Sequence, residues 1–418
     1  MDLCSALSEA DARRAADAVA RRSYGKLVAY LAVGARDVAG AEDALSEAFA
    51  AALQHWPRNG CPANPEAWLL TAARRKLIDA ARRRRRGSAV GDQLALLTQG
   101  LEAAAQAPEI PDHRLGLMFA SAHPAIEAGV RAPLMLQVIL GLDAATIASA
   151  FLTSPAAMGQ RLVRAKGKLR RAGVPFTPPD RADLPPRVDA VLDAIYAAFT
   201  HGWADPVGAD LARGDLTEEA LFLARLVVQL MPQAAEALGL LALMLHAQAR
   251  RGARRDAAGD YVPLAEQDPD LWDAGLIAEA ETLLRRAGGL GVIGRFQLEA
   301  ALQSVQVHGR RSGRPDGLAA LQLYDALLAL TGSPVVAVNR ALAVAEAAGA
   351  AAGLAALEAA MADARLADYQ PYWAVRAELL SRAGDRAGAS EAYTLAIGLE
   401  GDPAVRRFLL RRQSALAD

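Results

Sequence analysis

The chain has 418 residues, is 53% hydrophobic but only 5% aromatic, and carries a formal net charge of −1. That length holds two or three domains, and the dominance of alanine, which loses no side-chain entropy in a helix, predicts an all-α protein. Two cysteines exclude a disulfide framework and a four-ligand zinc site, and no apolar run is long enough to span a bilayer.

Residues 41–53, AEDALSEAFAAAL, have the spacing of an amphipathic helix. Ala44, Leu45, Ala48, Phe49 and Ala52 form its core side, and Glu42, Asp43 and Glu47 lie toward the other. Such acids serve solubility or dock a basic partner surface. Residues 59–65, NGCPANP, form a loop, because Asn-Gly and two prolines forbid a helix there. Glu66 opens the next helix, EAWLLTAARRKLIDAARRRRR, with an apolar stripe of Leu70, Ala73, Leu77 and Ala80. Trp68, Arg75, Asp79 and Arg82 share another face, Arg74, Lys76 and Arg83 add charge, and residues 82–86 are five consecutive arginines. Such a run repels itself unless phosphates or acids neutralise it, although a helix C-terminus favours cations. A frayed, solvated end is the plainer reading of the same residues.

Residues 87–111 hold Gly87, Gly91, Gly100, Pro108 and Pro111 and read as a linker, with a short helix fitting at 93–105. Downstream, GLDAATIASAFLTSPAAMGQRLVRAKGKLRR (141–171) is the most informative stretch. Ile147, Ala148 and Phe151 mark one short helix, and Thr153-Ser154-Pro155 breaks it. Ser154 suits a cap and Pro155 the first position of the helix that follows. In that second helix Met158, Leu162, Ala165 and Leu169 form one buried stripe. The other faces carry Arg161, Arg164, Lys166, Lys168, Arg170 and Arg171, with no acid between Pro155 and Arg171. Two short helices, a tight turn and a basic second helix make a helix-turn-helix, whose second helix fits a major groove. The alternative is a helical hairpin with a solvated basic face.

Proline density in VPFTPPD and DLPPR (174–187) marks a boundary. Helical patterns then run to the end. Residues 371–399 match a helix-Gly-helix unit with Gly384 at its turn and Tyr393 in its second helix. Gly349 lies 35 residues before Gly384, and Tyr324 lies 69 before Tyr393. These spacings suit a tetratricopeptide-like period of about 34 residues. Glu218–Leu230 with Ala234–Gln248 fits such a unit loosely, and residues 251–270 break the register as an inserted loop. Stacked helix pairs leave a concave surface for a protein or peptide, or form a helical lid with no outside partner. His201, Trp203, His246 and His308 read as core or surface residues rather than ligands. No Gly-rich phosphate loop, metal cluster or nucleophile motif stands out, so no catalytic residue, metal or cofactor is expected. With no signal-peptide pattern at the N-terminus, the expected location is cytoplasmic, away from the membrane.

The order of acidic helix, Asn/Pro loop, Trp-bearing basic helix, spacer and basic helix-turn-helix resembles a bacterial RNA polymerase sigma factor of the extracytoplasmic-function type. DVAGAEDALSEAFAAALQHWP (Asp37–Pro57) and PEAWLLTAARRKLIDAARR (Pro65–Arg83) resemble that family's region 2. HRLGLMFASAHPAI (His113–Ile126) and MGQRLVRAKGKLRRAG (Met158–Gly173) resemble its region 4. The remaining chain resembles the subgroup with a C-terminal extension related to tetratricopeptide repeats, which modulates activity. The resemblance implies residues 1–86 as a region 2 domain, 87–111 as linker and 112–175 as a region 4 domain. Residues 176–213 then connect to a repeat-like extension at 214–418.

By the same resemblance, the partners are core RNA polymerase and promoter DNA, and the protein is not an enzyme. Glu42, Asp43 and Glu47, with Leu45 and Phe49, would meet the polymerase clamp. Asn59, Asn64 and Trp68 would sit at the −10 element, where amide and aromatic groups can hold an unstacked base. Arg74, Arg75, Lys76, Arg82 and Arg83 would track phosphates and the opening strand, and Arg161, Arg164, Lys166, Lys168 and Arg170 would approach the −35 element. This chain departs from the pattern at Thr146, where glutamate is common, and at Ala157, where a polar residue is common. Gly159 and Gly167 each weaken the recognition helix by ~1 kcal/mol relative to alanine. FASAHP lacks the cysteines often found before His123-Pro124, and THGWAD (200–205) replaces an acidic Asn-Glu-Gly type motif. Two other readings use the same residues: a helix-turn-helix regulator that does not bind polymerase, and a repeat scaffold whose DNA-binding part has decayed.

Overall fold

The computed structural model describes residues 9–35, 37–85, 112–172, 178–203, 211–361 and 363–416. The expected linker 87–111, Cys4 and Arg86 lie outside the described residues. Among those described, every regular element is an α-helix or a 3-10 turn, and Arg255 and Tyr261 form an isolated antiparallel bridge. The fold is all-α. Packing divides it into two bodies, one from the described parts of 1–202 with 215–230, the other from those of 203–214 with 231–418.

The first body begins with α1 (Glu9–Ala35), α2 (Val38–Asn59) and α3 (Pro65–Arg85), which pack against one another. Their core joins Val28 and Leu31 of α1, Ala41, Leu45, Ala48 and Trp56 of α2, and Leu69, Ala73 and Leu77 of α3. The buried stripe of α3 is therefore centred on Leu69 rather than Leu70, which is half-buried. Asp37 caps α2 by accepting from the Gly40 N–H at 3.0 Å. At the other end Gly60, at φ 81°, adopts a conformation closed to most side chains, and the loop to α3 spans 60–64.

Helices α4 (His113–Ser121), α5 (Ala128–Val138), α6 (Ala144–Ala150) and α7 (Pro155–Ala172) form the next cluster. Phe119, Leu134, Met135, Ile147, Met158 and Leu162 are buried in it. Asp143 caps α6 through the Thr146 N–H at 2.8 Å, and that bond lowers the carboxyl's pKa. Ser154 accepts from the Ala157 N–H at 3.3 Å, with Pro155 opening α7. Helix α1 also packs on α4, so these clusters form one body.

Residues 188–202 of helix α8 (Val188–Trp203) and residues 215–230 of α9 (Leu211–Leu230) complete that body. Arg187 donates to the Phe119 carbonyl at 3.2 Å. Arg114 on α4, 7% exposed, pairs with Asp112 at 3.1 Å and with Glu219 on α9.

The second body holds α10 (Ala235–Ala249), α11 (Ala274–Gly288), α12 (Arg295–Ser312), α13 (Gly317–Thr331), α14 (Pro334–Ala348), α15 (Ala350–Ala360), α16 (Gln370–Arg382), α17 (Arg386–Leu399) and α18 (Pro403–Ser414). Helices adjacent in sequence pack on each other from α10 to α18. Gly349 at φ 91° and Gly384 at φ 84° turn the chain between successive helices. Tyr372, Leu379, Val338 and Leu357 share one core, and Tyr393, Ala392, Ala396 and Leu409 another. The helices proposed from sequence as a loose pair, Glu218–Leu230 and Ala234–Gln248, fall in different bodies.

Residues 251–270 form 3-10 turns and the Arg255–Tyr261 bridge rather than α-helix. This segment reaches the far end of its own body. Arg255 pairs with Asp402 at 2.6 Å, Asp260 pairs with Arg407 at 2.7 Å and Arg411 at 2.6 Å, and the Tyr261 and Phe408 rings meet edge to face at 5.5 Å. The array is thus tied back on itself, and its last helix is held by a loop about 150 residues earlier.

Candidate nucleic-acid interface

Asp43 and Glu47 are exposed on α2, whereas Glu42 is half-buried and Leu45 is fully buried in the core. Phe49 is half-buried and stacks on Tyr24 of α1, with ring centroids 6.5 Å apart. Burial, together with the negative charges of Glu42 and Asp43, pushes the Tyr24 hydroxyl up to about 12. It stays protonated at any physiological pH. The acidic face of α2 thus presents Asp43 and Glu47 outward, while Leu45 holds the helix in place.

Asn59, the last residue of α2, and Asn64, in the loop that follows, are both exposed. Asn59 Nδ2 donates to the His55 carbonyl at 3.3 Å, and Asn64 Oδ1 accepts from the Ala67 N–H at 3.0 Å, which caps α3. Trp68 is half-buried between His55, at 5.7 Å, and the fully buried Trp56, also at 5.7 Å. His55 and Trp68 form a shallow aromatic step beside two exposed amides. His55 carries no signal in the sequence, because its relation to Trp68 depends on how α2 and α3 pack.

The basic residues of α3 part company. Arg75 is exposed. Arg74 lies over the Tyr30 ring at 5.3 Å and donates to the Tyr30 hydroxyl at 3.1 Å, so its guanidinium serves the helix packing. Lys76 is exposed and pairs with Glu47 at 3.0 Å. Helix α3 runs through Arg82 and Arg83, but their side chains lie outside the described residues, as does that of Arg170 on α7.

On α7, Arg161, Arg164 and Lys168 are exposed, and Met158, Leu162 and Ala165 are buried on the opposite side. The apolar stripe read from sequence thus packs inward and turns these cations out. Arg164 Nε bonds back to the Gln160 carbonyl at 3.3 Å. Lys166 differs: its Nζ donates to both carboxylate oxygens of Glu42, at 2.9 and 3.1 Å. Leu152, at φ 48° in the turn before α7, is a left-handed residue without glycine's freedom, held between α6 and α7.

No three His, Cys, Asp or Glu side chains among the described residues stand where they could hold a metal ion. No helix among them is long and apolar enough to cross a membrane.

Residues 19–87 match the family Sigma-70 region 2, and residues 187–288 match a family of unknown function, DUF6596. The chain is 36% identical over 387 residues to the uncharacterized protein R00370 of Rhizobium meliloti (strain 1021), a match covering 90% of this chain and 89% of that protein. No solved structure matches the chain.

Proposed function

We propose that this chain, whose residues 19–87 match Sigma-70 region 2, is a non-enzymatic sigma factor that binds core RNA polymerase and directs it to promoters of the extracytoplasmic-function type. The observation that carries this reading is the Sigma-70 region 2 match, which covers α2, the exposed Asn loop and the Trp68 step. Asp43 and Glu47 present carboxylates for a basic polymerase surface. Asn59, Asn64, Trp68 and His55 receive an unstacked base of the −10 element, since amides offer edge hydrogen bonds and aromatic rings offer stacking.

Arg75 and the basic end of α3 follow the phosphates. Helix α7, with α6 and the Ser154 turn before it, acts as the recognition helix of a helix-turn-helix at the −35 element. Arg161, Arg164 and Lys168 are the cations it offers to DNA. Those that reach base edges specify sequence at ~1–3 kcal/mol per bidentate pair, and the others position the protein on phosphates. The second body acts as a repeat-like module that modulates activity.

The test is core-polymerase binding by the full chain carrying Asp43→Lys and Glu47→Lys together. Both side chains are exposed, so the fold should survive. Affinity is expected to fall at least about tenfold, the equivalent of ~1.4 kcal/mol. Unchanged binding would exclude α2 as the polymerase contact.

A further inference from the structure

Glu42 and Lys166 lie 124 residues apart, on helices whose proposed roles are different: α2 for polymerase, α7 for DNA. Yet the ammonium sits between both oxygens of the carboxylate, with the two side chains 25% and 16% exposed. The pair is shielded but not sealed, which places its strength between that of a surface bridge and that of a buried one.

Two further features hold α1, on which α2 packs, against the α5–α6 segment of the other cluster. Gly25 on α1 lies against the end of α5 so closely that a Cβ there would collide with the Ile139 carbonyl oxygen. Glycine alone permits this approach. Gly141, at φ 69°, turns the chain under Tyr24, with the place of its missing Cβ 3.6 Å from the Tyr24 ring. Tyr24 in turn stacks on Phe49 of α2. Both Glu42 and Phe49, two of the proposed polymerase contacts, are thus occupied within the chain.

The extension also takes part. Glu219, on the portion of α9 that belongs to the first body, pairs with Arg114 of α4 and feels the positive charge of Lys26 on α1. Burial raises its carboxyl against the pull of those two cations. One carboxylate from the extension therefore addresses both halves of the body.

We propose that this packing is a self-latched resting state, in which the Glu42–Lys166 pair closes the polymerase-facing helix onto the DNA-facing helix and Glu219 of α9 pins the closed arrangement. The proposal rests on the reading of α2 and α7 given above. While Lys166 neutralises Glu42, the carboxylate is withheld from a basic polymerase surface and the ammonium from a phosphate. Engaging polymerase and promoter together requires the pair to part, and displacing α9 removes the pin.

The test uses the full chain with Cys4→Ser and Cys61→Ser, and with dyes on Leu53→Cys in α2 and Val163→Cys in α7, positions 42% and 71% exposed. Energy transfer between the dyes reports closure, and binding to core polymerase reports release. Lys166→Glu places two carboxylates face to face. It is expected to lower transfer and tighten core binding by about tenfold. Glu42→Lys combined with Lys166→Glu restores the attraction with its polarity reversed and should return transfer to the parent value. Lys166→Gln, which removes charge without repulsion, should fall between the parent and Lys166→Glu. Helical circular dichroism confirms that each variant is folded.

Transfer unchanged in Lys166→Glu, or not recovered by the double reversal, overturns the latch. Transfer that responds as expected while neither parent nor Lys166→Glu binds core polymerase overturns the polymerase reading instead, and with it the regulatory role.

Discussion

Acid should weaken the second body through His246. This imidazole is fully buried on α10, both ring nitrogens lack a hydrogen-bond partner, and Nε2 stands 3.4 Å from Glu281 Oε1. That same oxygen already accepts from Ser304 Oγ at 2.6 Å. Burial lowers the imidazole pKa from 6.5 to about 4, despite the attraction of Glu281 and with added repulsion from Arg250. Above pH 6.5 the ring is neutral whether folded or unfolded. Between 6.5 and 4 the unfolded chain takes up a proton that the folded chain refuses, so stability falls as pH falls. Below about 4 both states are protonated and the loss is complete. At about 1.4 kcal/mol for each tenfold change in proton affinity, the loss across this window is about 3 kcal/mol. That is a large share of the ~5–15 kcal/mol that stabilises a typical domain.

Carboxylates elsewhere titrate nearby, so the measurement is a difference. Urea unfolding of the parent and of His246→Leu, followed at several pH values between 7.5 and 4, isolates the histidine. The leucine removes two unsatisfied nitrogens, and the variant should lose about 3 kcal/mol less than the parent over that window. Parallel pH profiles for the two proteins would refute the reasoning.

Gly25→Ala should destabilise the first body by ~1–3 kcal/mol, the usual cost of overpacking, because its Cβ meets backbone that cannot step aside; a melting temperature equal to the parent's would contradict this. Glu236 on α10 caps α12, accepting from the Phe296 N–H at 2.9 Å and the Gln297 N–H at 3.1 Å, so Glu236→Ala should cost ~2 kcal/mol in urea unfolding. An unchanged midpoint would show that the carboxylate is not holding that helix end. Arg161→Ala, on the exposed face of α7, should lower the slope of log affinity against log salt on promoter duplex by ~0.9 if the side chain neutralises one phosphate. An unaltered slope would remove Arg161 from the interface.

Much of this fold is written locally. The Ser154-Pro155 start of α7 and its Met158-Leu162-Ala165 stripe need only capping chemistry and helical period, and both are present where the sequence puts them. Gly384 likewise turns the chain between the two helices expected around it. Other features depend on tertiary packing and leave little local trace. The α3 stripe is rotated to Leu69 because α1 and α2 together decide which face is covered. Arg74 reads as one more cation in a basic run, but Tyr30, on another helix, draws it inward. Residues 251–270 look like a register break, and nothing in their spacing announces Asp402, Arg407 and Arg411 as partners. Proline density marks a boundary near 174–187, yet residues 215–230 join the first body, where the Arg114–Glu219 pair helps hold them. Glu42 and Lys166 are each legible as a surface charge. That they meet is a property of the folded body alone.

The central claim is that this chain is a sigma factor, and run-off transcription tests it most directly. Purified core polymerase would be combined with DNA upstream of the protein's own gene, with and without the chain. The account predicts discrete transcripts only when the chain is present, with start sites that locate the −35 and −10 elements. No transcript, from folded full-length protein and from Lys166→Glu alike, together with no binding to core polymerase, would contradict it.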